Sequence, residues 1–172
     1  TVSLATCGNY GVAAALAANL AGIDCKIFIP ESYHTDRIVE METLGAEIIR
    51  MHGSYEDVVK ESSELARQND WYDANPGGSN TALQISAYSQ IALEIYEDLG
   101  DAPKYCAVPV SNGTLFAGIY RGFVSLYKRG KTSHIPKMIA ASSSKKNPIV
   151  QSFLLGLDYC KDLKPESIKE TK

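Results

Sequence analysis

The chain has 172 residues, 45% of them hydrophobic and 22% charged, with a net charge of -3 spread along its length. That is enough apolar content for a packed core in one large or two small domains, and no basic stripe marks a nucleic-acid or membrane-surface partner. No apolar run approaches the ~20 residues needed to span a bilayer, and Cys7, Cys25, Cys106 and Cys160 form no C-x-x-C pair, which suits reduced thiols in the cytoplasm.

The chain opens without Met, directly in an apolar strand, and closes in a polar Lys/Glu/Asp segment (161–172). A piece of a longer protein is therefore expected. Strand Val2–Thr6 runs into the loop Thr6-Cys7-Gly8-Asn9-Tyr10-Gly11, and a helix of mostly Ala and Leu follows to Ala21, stopped by Gly22. Strand Cys25–Pro30 is next. A helix over about Thr35 to Leu44 has Ile38, Met41 and Leu44 on one face and is closed by Gly45. Strand Glu47–Met51 precedes a helix to about Asn69 that Ser54 caps, with Asp57 three residues on in a capping-box arrangement. A short strand at Trp71–Asp73 completes a βαβαβαβ unit, whose short connectors and right-handed crossovers make a parallel sheet.

The composition breaks at Asn75-Pro76-Gly77-Gly78-Ser79-Asn80, which places a domain crossing there. One long helix, Thr81 to Leu99, is predicted next, then strand Tyr105–Val110, loop Ser111-Asn112-Gly113 and helix Thr114–Lys128. Strand Met138–Ser142 and a helix from Asn147-Pro148, with Pro148 in its first turn, complete the pattern. The fold class is α/β: two three-layer αβα lobes with mostly parallel sheets, assigned to residues 1–75 and 76–160, with 161–172 a polar tail. In such sheets ligands sit beyond the carboxyl ends of the strands, where both Gly-containing loops lie.

Each loop reads in more than one way. Thr6–Gly11 keeps two glycines of a G-x-G-x-x-G dinucleotide fingerprint, and Glu31 stands where a ribose-binding acid belongs, but Thr6 replaces the first glycine. It also reads as a turn of small residues for packing, or as a carboxylate or phenolate site at a helix N-terminus with the Asn9 amide beside it. The second loop, Ser111 to Gly118, reads either as a phosphate cradle of N–H groups with the Ser111 and Thr114 hydroxyls, or as a plain helix cap by Ser111 or Asn112. It lacks the spacing and lysine of a P-loop. A Cys7–His34 nucleophile pair is disfavoured because nothing in the sequence brings the two together. Three dispersed histidines give no metal pattern.

Taken together, the two loops resemble those of the fold-type II pyridoxal-phosphate enzymes, and most closely the threonine synthase branch. The resemblance runs from Ala5–Gly11 through Ala21-Gly22-Ile23 and Phe28-Ile29-Pro30, then Leu44–Ile48, Gly53–Asp57, Tyr72–Pro76 and Val108–Gly113. It continues through Pro136–Ala140 to Asn147–Val150, about residues 1 to 155 in all. It implies that Asn9 bonds the ring O3′ of pyridoxal 5′-phosphate and that Ser111, Asn112, Gly113, Thr114 and Leu115 form the cup for its phosphate. Thr6, Cys7, Gly8 and Tyr10 then hold the substrate's α-carboxylate. The implied activity is elimination and replacement on a small amino acid, with threonine formation from O-phosphohomoserine first. Cysteine- or cysteate-type β-replacement and threonine or serine dehydration come next. From other classes stand an NAD-type nucleotide-binding module and a non-catalytic relative. A homodimer is implied, with no nucleic acid or membrane partner.

The resemblance also has departures. The family's Schiff-base lysine lies before the asparagine loop, in a segment this chain does not contain, so no catalytic residue is assigned and these 172 residues alone are expected to be inert. The residue that meets the pyridine nitrogen lies after the last matched segment. The branch's Gly-Gln-x-Thr reads Ala87-Tyr88-Ser89-Gln90 here, and the cup has Thr114 and Leu115 where Gly and Asn are more usual.

Overall fold

The computed structural model describes residues 1–142 and 147–161. The polar tail expected at 161–172 lies outside the described residues except for Lys161. The chain divides into two compact units, Thr1–Asn80 and a second beginning at Thr81.

In the first unit the elements run β1 (Val2–Ala5), α1 (Asn9–Ala21), β2 (Cys25–Pro30), α2 (Arg37–Thr43), β3 (Glu47–Met51), α3 (Tyr55–Gln68) and β4 (Tyr72–Asp73). The strands form one parallel sheet in the order β3-β2-β1-β4, with Val2 beside both Cys25 and Tyr72. As the reversal point of the strand order, β1 has neighbours on both edges and is buried at all four residues. One face carries α1 and α2, whose Ala15, Ala18 and Met41 join Leu4, Ile27 and Ile29 in the core. The other carries α3, whose Val58 packs on Ala5 and Phe28. This unit is three layers, αβα, as its sequence predicts.

Helix α1 lies close to its neighbours because its contact face is Gly and Ala. A Cβ at Gly11 would stand 2.7 Å from both the Met41 Cε and the Thr6 Cγ2. The helix ends in a Schellman arrangement: Gly22 takes the left-handed conformation (φ 67°), its N–H bonds the Asn19 carbonyl and the Ile23 N–H bonds that of Ala18.

The second unit contains α4 (Thr81–Tyr88), α5 (Gln90–Leu99), β5 (Tyr105–Pro109), α6 (Thr114–Lys128), β6 (Lys137–Ala141) and α7 (Pro148–Leu154). β5 and β6 pair in parallel, and α5 and α6 cover them through Ala92, Val108, Ile119, Phe123 and Leu126. The single helix predicted over Thr81–Leu99 is two helices. At Ser89 the N–H is shared between the Ile85 and Ser86 carbonyls, and the hydroxyl bonds the Ser86 carbonyl at 2.6 Å. Such back-bonding competes with the helical ladder and bends it. Other boundaries shift by one or two residues at most.

The bend is packed by glycine. A Cβ at Gly118 would lie 2.4 Å from the Tyr88 Cβ, and one at Gly122 would lie 2.5 Å from the Ser89 carbonyl oxygen. Alanine in a helix interior is favoured over glycine by about 1 kcal/mol, but here the overlap decides. Gly118→Ala is expected to lose ~1–3 kcal/mol of stability, read as a lower urea midpoint with unchanged slope.

Candidate anion-binding loops

The first loop leaves the carboxyl end of β1, where two side chains of its own unit hold Ala5 and a third ties the loop to Ala74. The Ala5 N–H donates to the Asn75 Oδ1 at 2.8 Å and the Tyr55 hydroxyl donates to the Ala5 carbonyl at 3.1 Å. The Tyr10 hydroxyl donates to the Ala74 carbonyl at 2.8 Å. Asn75 is buried (2% exposed), and its Nδ2 lies within hydrogen-bonding distance of the Ser62 and Ser63 hydroxyls and the Asp73 carboxylate. Sequence reasoning gave neither residue a part in holding the loop: Asn75 stands at the expected domain crossing, and Tyr55 lies in a segment matched by the resemblance. An Asn preceding Pro directly after a predicted strand was the available signal.

Beyond Ala5 the loop turns outward: Thr6 is buried, Cys7, Gly8 and Tyr10 are half-buried, and Asn9 is exposed. Gly8 is the N-cap of α1 and offers no side chain. The first turn carries no acidic residue, and the Cys7 and Asn9 amides have no hydrogen-bond partner among the described residues. Two donors are thus unspent at this helix start among the described residues, and no first-turn carboxylate offsets its partial positive charge. His34 is exposed, and no hydrogen bond joins it to Cys7 among the described residues. The carboxylate of Glu31, the candidate ribose acid, lies 2.8 Å from the His52 Nδ1.

The second loop leaves β5. Gly113, the N-cap of α6, sits in the left-handed region at φ 87°, where a side chain would be strained and its Cβ would meet the Ile149 Cδ1 at 3.2 Å. Asn112 does not cap the helix by reaching its second or third residue. Its Oδ1 instead accepts from both the Thr114 N–H (3.1 Å) and the Thr114 hydroxyl (2.8 Å). The Thr114 hydroxyl, expected in the cradle, is thus turned onto its own loop. The Leu115 and Phe116 amides have no partner among the described residues, and the first turn holds no acid. The loop is held from below by Asn147, also buried (7% exposed), whose Nδ2 donates to the Val110 and Ser111 carbonyls at 2.9 and 2.8 Å.

Of the other helix starts, α3 and α7 carry side-chain caps, whereas α2 and α5 do not; α2 has Glu40 in its first turn, and α5, which has no acid there, begins at the Ser89 bend and not at the end of a strand. Ser54 and Asp57 close a reciprocal capping box on α3, and the Asn147 Oδ1 accepts from the Ile149 and Val150 N–H groups of α7. The two loops singled out by sequence thus open two helices, α1 and α6, that lack both a side-chain cap and a first-turn carboxylate. Such starts suit an anion. Among the described residues no group of three His, Cys, Asp or Glu is placed to hold a metal, and no helix is long and apolar enough to cross a membrane.

Comparison with known proteins shows the family. A family model described as pyridoxal-phosphate dependent enzyme matches residues 1–170. The chain is 26% identical over 151 residues to a threonine synthase of Synechocystis sp., covering 87% of this chain and 39% of that protein. It is 28% identical over 119 residues to a serine dehydratase-like protein of Mus musculus, covering 69% and 36%. Among solved structures, maize serine racemase is similar with a TM-score of 0.76 at 24% identity, covering 94% of this chain and 46% of that one. That likeness shows the fold. The chain spans about two fifths of the length of the curated threonine synthases it matches.

Two outcomes follow from the bracing of β1. Asn75→Ala leaves the Ala5 amide and two serine hydroxyls short of a buried partner, and is expected to lose ~2–3 kcal/mol of stability in denaturant unfolding. Burial pushes the Tyr55 phenol above its usual range, and the charges of Cys7, Glu56 and Tyr33 add to this. A raised folded value means the stabilisation is whole below the unfolded value of about 10 and is lost as pH climbs through the folded one. Tyr55→Phe is therefore expected to be ~1 kcal/mol less stable near neutrality. The gap should close in alkaline buffer when unfolding is followed against pH.

Proposed function

The chain belongs to the pyridoxal-phosphate dependent enzymes, and from that premise we propose that the whole protein eliminates a group from an amino-acid side chain and adds a nucleophile. Its proposed reaction is formation of threonine from O-phosphohomoserine. The observation that carries this reading is that the two Gly-containing loops leaving the carboxyl ends of β1 and β5 each open an uncapped, acid-free helix, α1 and α6, with donors for two separate anions. The match to threonine synthases over 87% of the chain supports the choice of substrate. Family membership replaces the dinucleotide reading of the first loop.

The residues present fit pyridoxal 5′-phosphate. In the second unit the phosphate is assigned to the cup of Ser111, Asn112, Gly113, Thr114 and Leu115, whose Leu115 amide and the neighbouring Phe116 amide are unspent among the described residues. There a dianion meets backbone donors and no carboxylate. In the first unit Thr6, Cys7, Gly8 and Tyr10 are assigned to the substrate α-carboxylate, with the Cys7 amide as an unspent donor. Asn9, exposed and uncommitted among the described residues, is assigned to the hydroxyl of the cofactor ring. When bound, the cofactor supplies an electron sink for the charge that develops on the substrate's α-carbon. The protein's part is orientation: the first loop fixes the carboxylate, and so which bond at the α-carbon is aligned for proton loss. No lysine of this chain is assigned to the reaction, and the 172 residues alone are expected to be inert.

A second reading, dehydration of serine or threonine, is favoured by the match to the serine dehydratase-like protein. A cytoplasmic setting accords with four cysteines that are all free. Assembly as a homodimer is part of the proposal and is checked by sedimentation of the purified protein.

The purified whole protein, supplied with pyridoxal 5′-phosphate, is expected to release inorganic phosphate and threonine in equal amounts from O-phosphohomoserine. A 2-oxo acid from serine or threonine, without threonine formation, overturns the first reading for the second. Asn9→Ala is expected to lower kcat/KM by about 10–100-fold, the loss of one ligand hydrogen bond. Its thermal midpoint should hold, because the Asn9 side chain supports nothing else among the described residues.

A further inference from the structure

We propose that Asn147 is a positioning residue that turns the peptide planes of the β5–α6 loop so that the Ser111 and Asn112 amides present themselves to an anion. The inference rests on the phosphate assignment made above and deepens it: these two amides join those of Leu115 and Phe116 as donors.

The argument is one of peptide geometry. In a trans peptide the carbonyl and the next residue's N–H lie in one plane and point in opposite directions. The Asn147 Nδ2 takes the carbonyls of Val110 and Ser111 together, at 2.9 and 2.8 Å, and the Ser142 hydroxyl adds a second bond to Val110 at 2.9 Å. Two consecutive carbonyls are therefore drawn to the Asn147 side, which sends the Ser111 and Asn112 N–H groups to the other. Neither of these amides has a hydrogen-bond partner among the described residues. Successive N–H groups facing one way form an anion-binding concavity.

Asn147 is suited to the task because its demands are all met. The Nδ2 is taken by the two carbonyls, and the Oδ1 is taken by the Ile149 and Val150 N–H groups at 2.9 and 3.2 Å. With only 7% of the residue exposed, the amide has little room to swing. Its Oδ1 caps α7, and that helix start in turn fixes where the Nδ2 points. The first unit holds its own loop with the same dipeptide, Asn75-Pro76, although there the amide oxygen accepts from the Ala5 N–H.

Capping and bracing are separable by substitution. Asn147→Ser keeps a hydroxyl that caps α7 but has no reach to the Val110 and Ser111 carbonyls, while Asn147→Ala loses both. The readout is the ratio of dissociation constants for pyridoxal and pyridoxal 5′-phosphate in the whole protein, which isolates the phosphate's contribution and cancels any general loss of folded protein. The parent is expected to favour the phosphorylated form strongly, and both variants are expected to lower that preference about tenfold. A Ser variant that keeps the parent's ratio while the Ala variant loses it means a cap alone and overturns the proposal. A parent that binds the two forms equally overturns the phosphate assignment itself, and this inference with it. Should the variants not fold, titration of the parent with inorganic phosphate decides the matter by amide NMR. Downfield shifts at the Ser111 and Asn112 protons support the proposal, and their absence overturns it.

Discussion

A strand of a parallel sheet must stop somewhere, and at its carboxyl end the ladder no longer satisfies the backbone. An unpaired buried peptide group costs about 1–3 kcal/mol, so the chain has to supply other partners before it can open a loop. Here a buried asparagine does so in each unit. Asn75 and Asn147 both precede proline, and each is committed in full: Asn75 to Ala5, Ser62, Ser63 and Asp73, Asn147 to Val110, Ser111, Ile149 and Val150. Fully satisfied polar networks of this kind are rigid because breaking one bond exposes the rest. Proline adds to this by restricting the asparagine backbone to extended conformations.

The two braces differ in polarity, and the difference has consequences. Asn75 uses its oxygen on an N–H, while Tyr55 takes the carbonyl of the same residue, so Ala5 is satisfied on both sides and unspent donors begin only beyond it, at Cys7. Asn147 uses its nitrogen on two carbonyls, which leaves the corresponding amides facing outward. The first loop is thus anchored at its root and open at its tip. The second is oriented along its length. A carboxylate held at a tip and a phosphate held by a row of amides are the ligands that these two arrangements suit.

Much of this was legible in the sequence because it depends on local chemistry. The Gly- and Ala-rich contact face of α1, the capping box of Ser54 and Asp57, and the alternation of strand and helix that makes the sheet parallel all appear as residue patterns over a few positions. What stayed hidden depends on partners far along the chain. Asn75 meets Ala5 across seventy residues and Asn147 meets Val110 across thirty-seven, and nothing in the spacing of an asparagine announces which backbone group it reaches. The bend at Ser89 was missed because its cause is a hydroxyl choosing a carbonyl three residues back, together with glycines on α6 that admit the bent segment. The Thr114 hydroxyl is a similar case: it donates to the Asn112 side chain two residues earlier, a local choice that the residue types alone do not announce.

The distribution of helix caps carries the last step. A side-chain cap contributes about 1 kcal/mol, and this chain places one on α3 and on α7 while leaving α1, α2, α5 and α6 without. Of the uncapped helices, α1 and α6 are the two that open from loops whose strand ends are braced by buried asparagine, so the chain rigidifies the approach to each and then leaves amides there unspent among the described residues. Stability alone would favour a Ser or Asp at Gly8 and a carboxylate in the first turn of α6. An anion supplied from outside completes both helix starts, and the missing caps are then the complement of the ligand's charge.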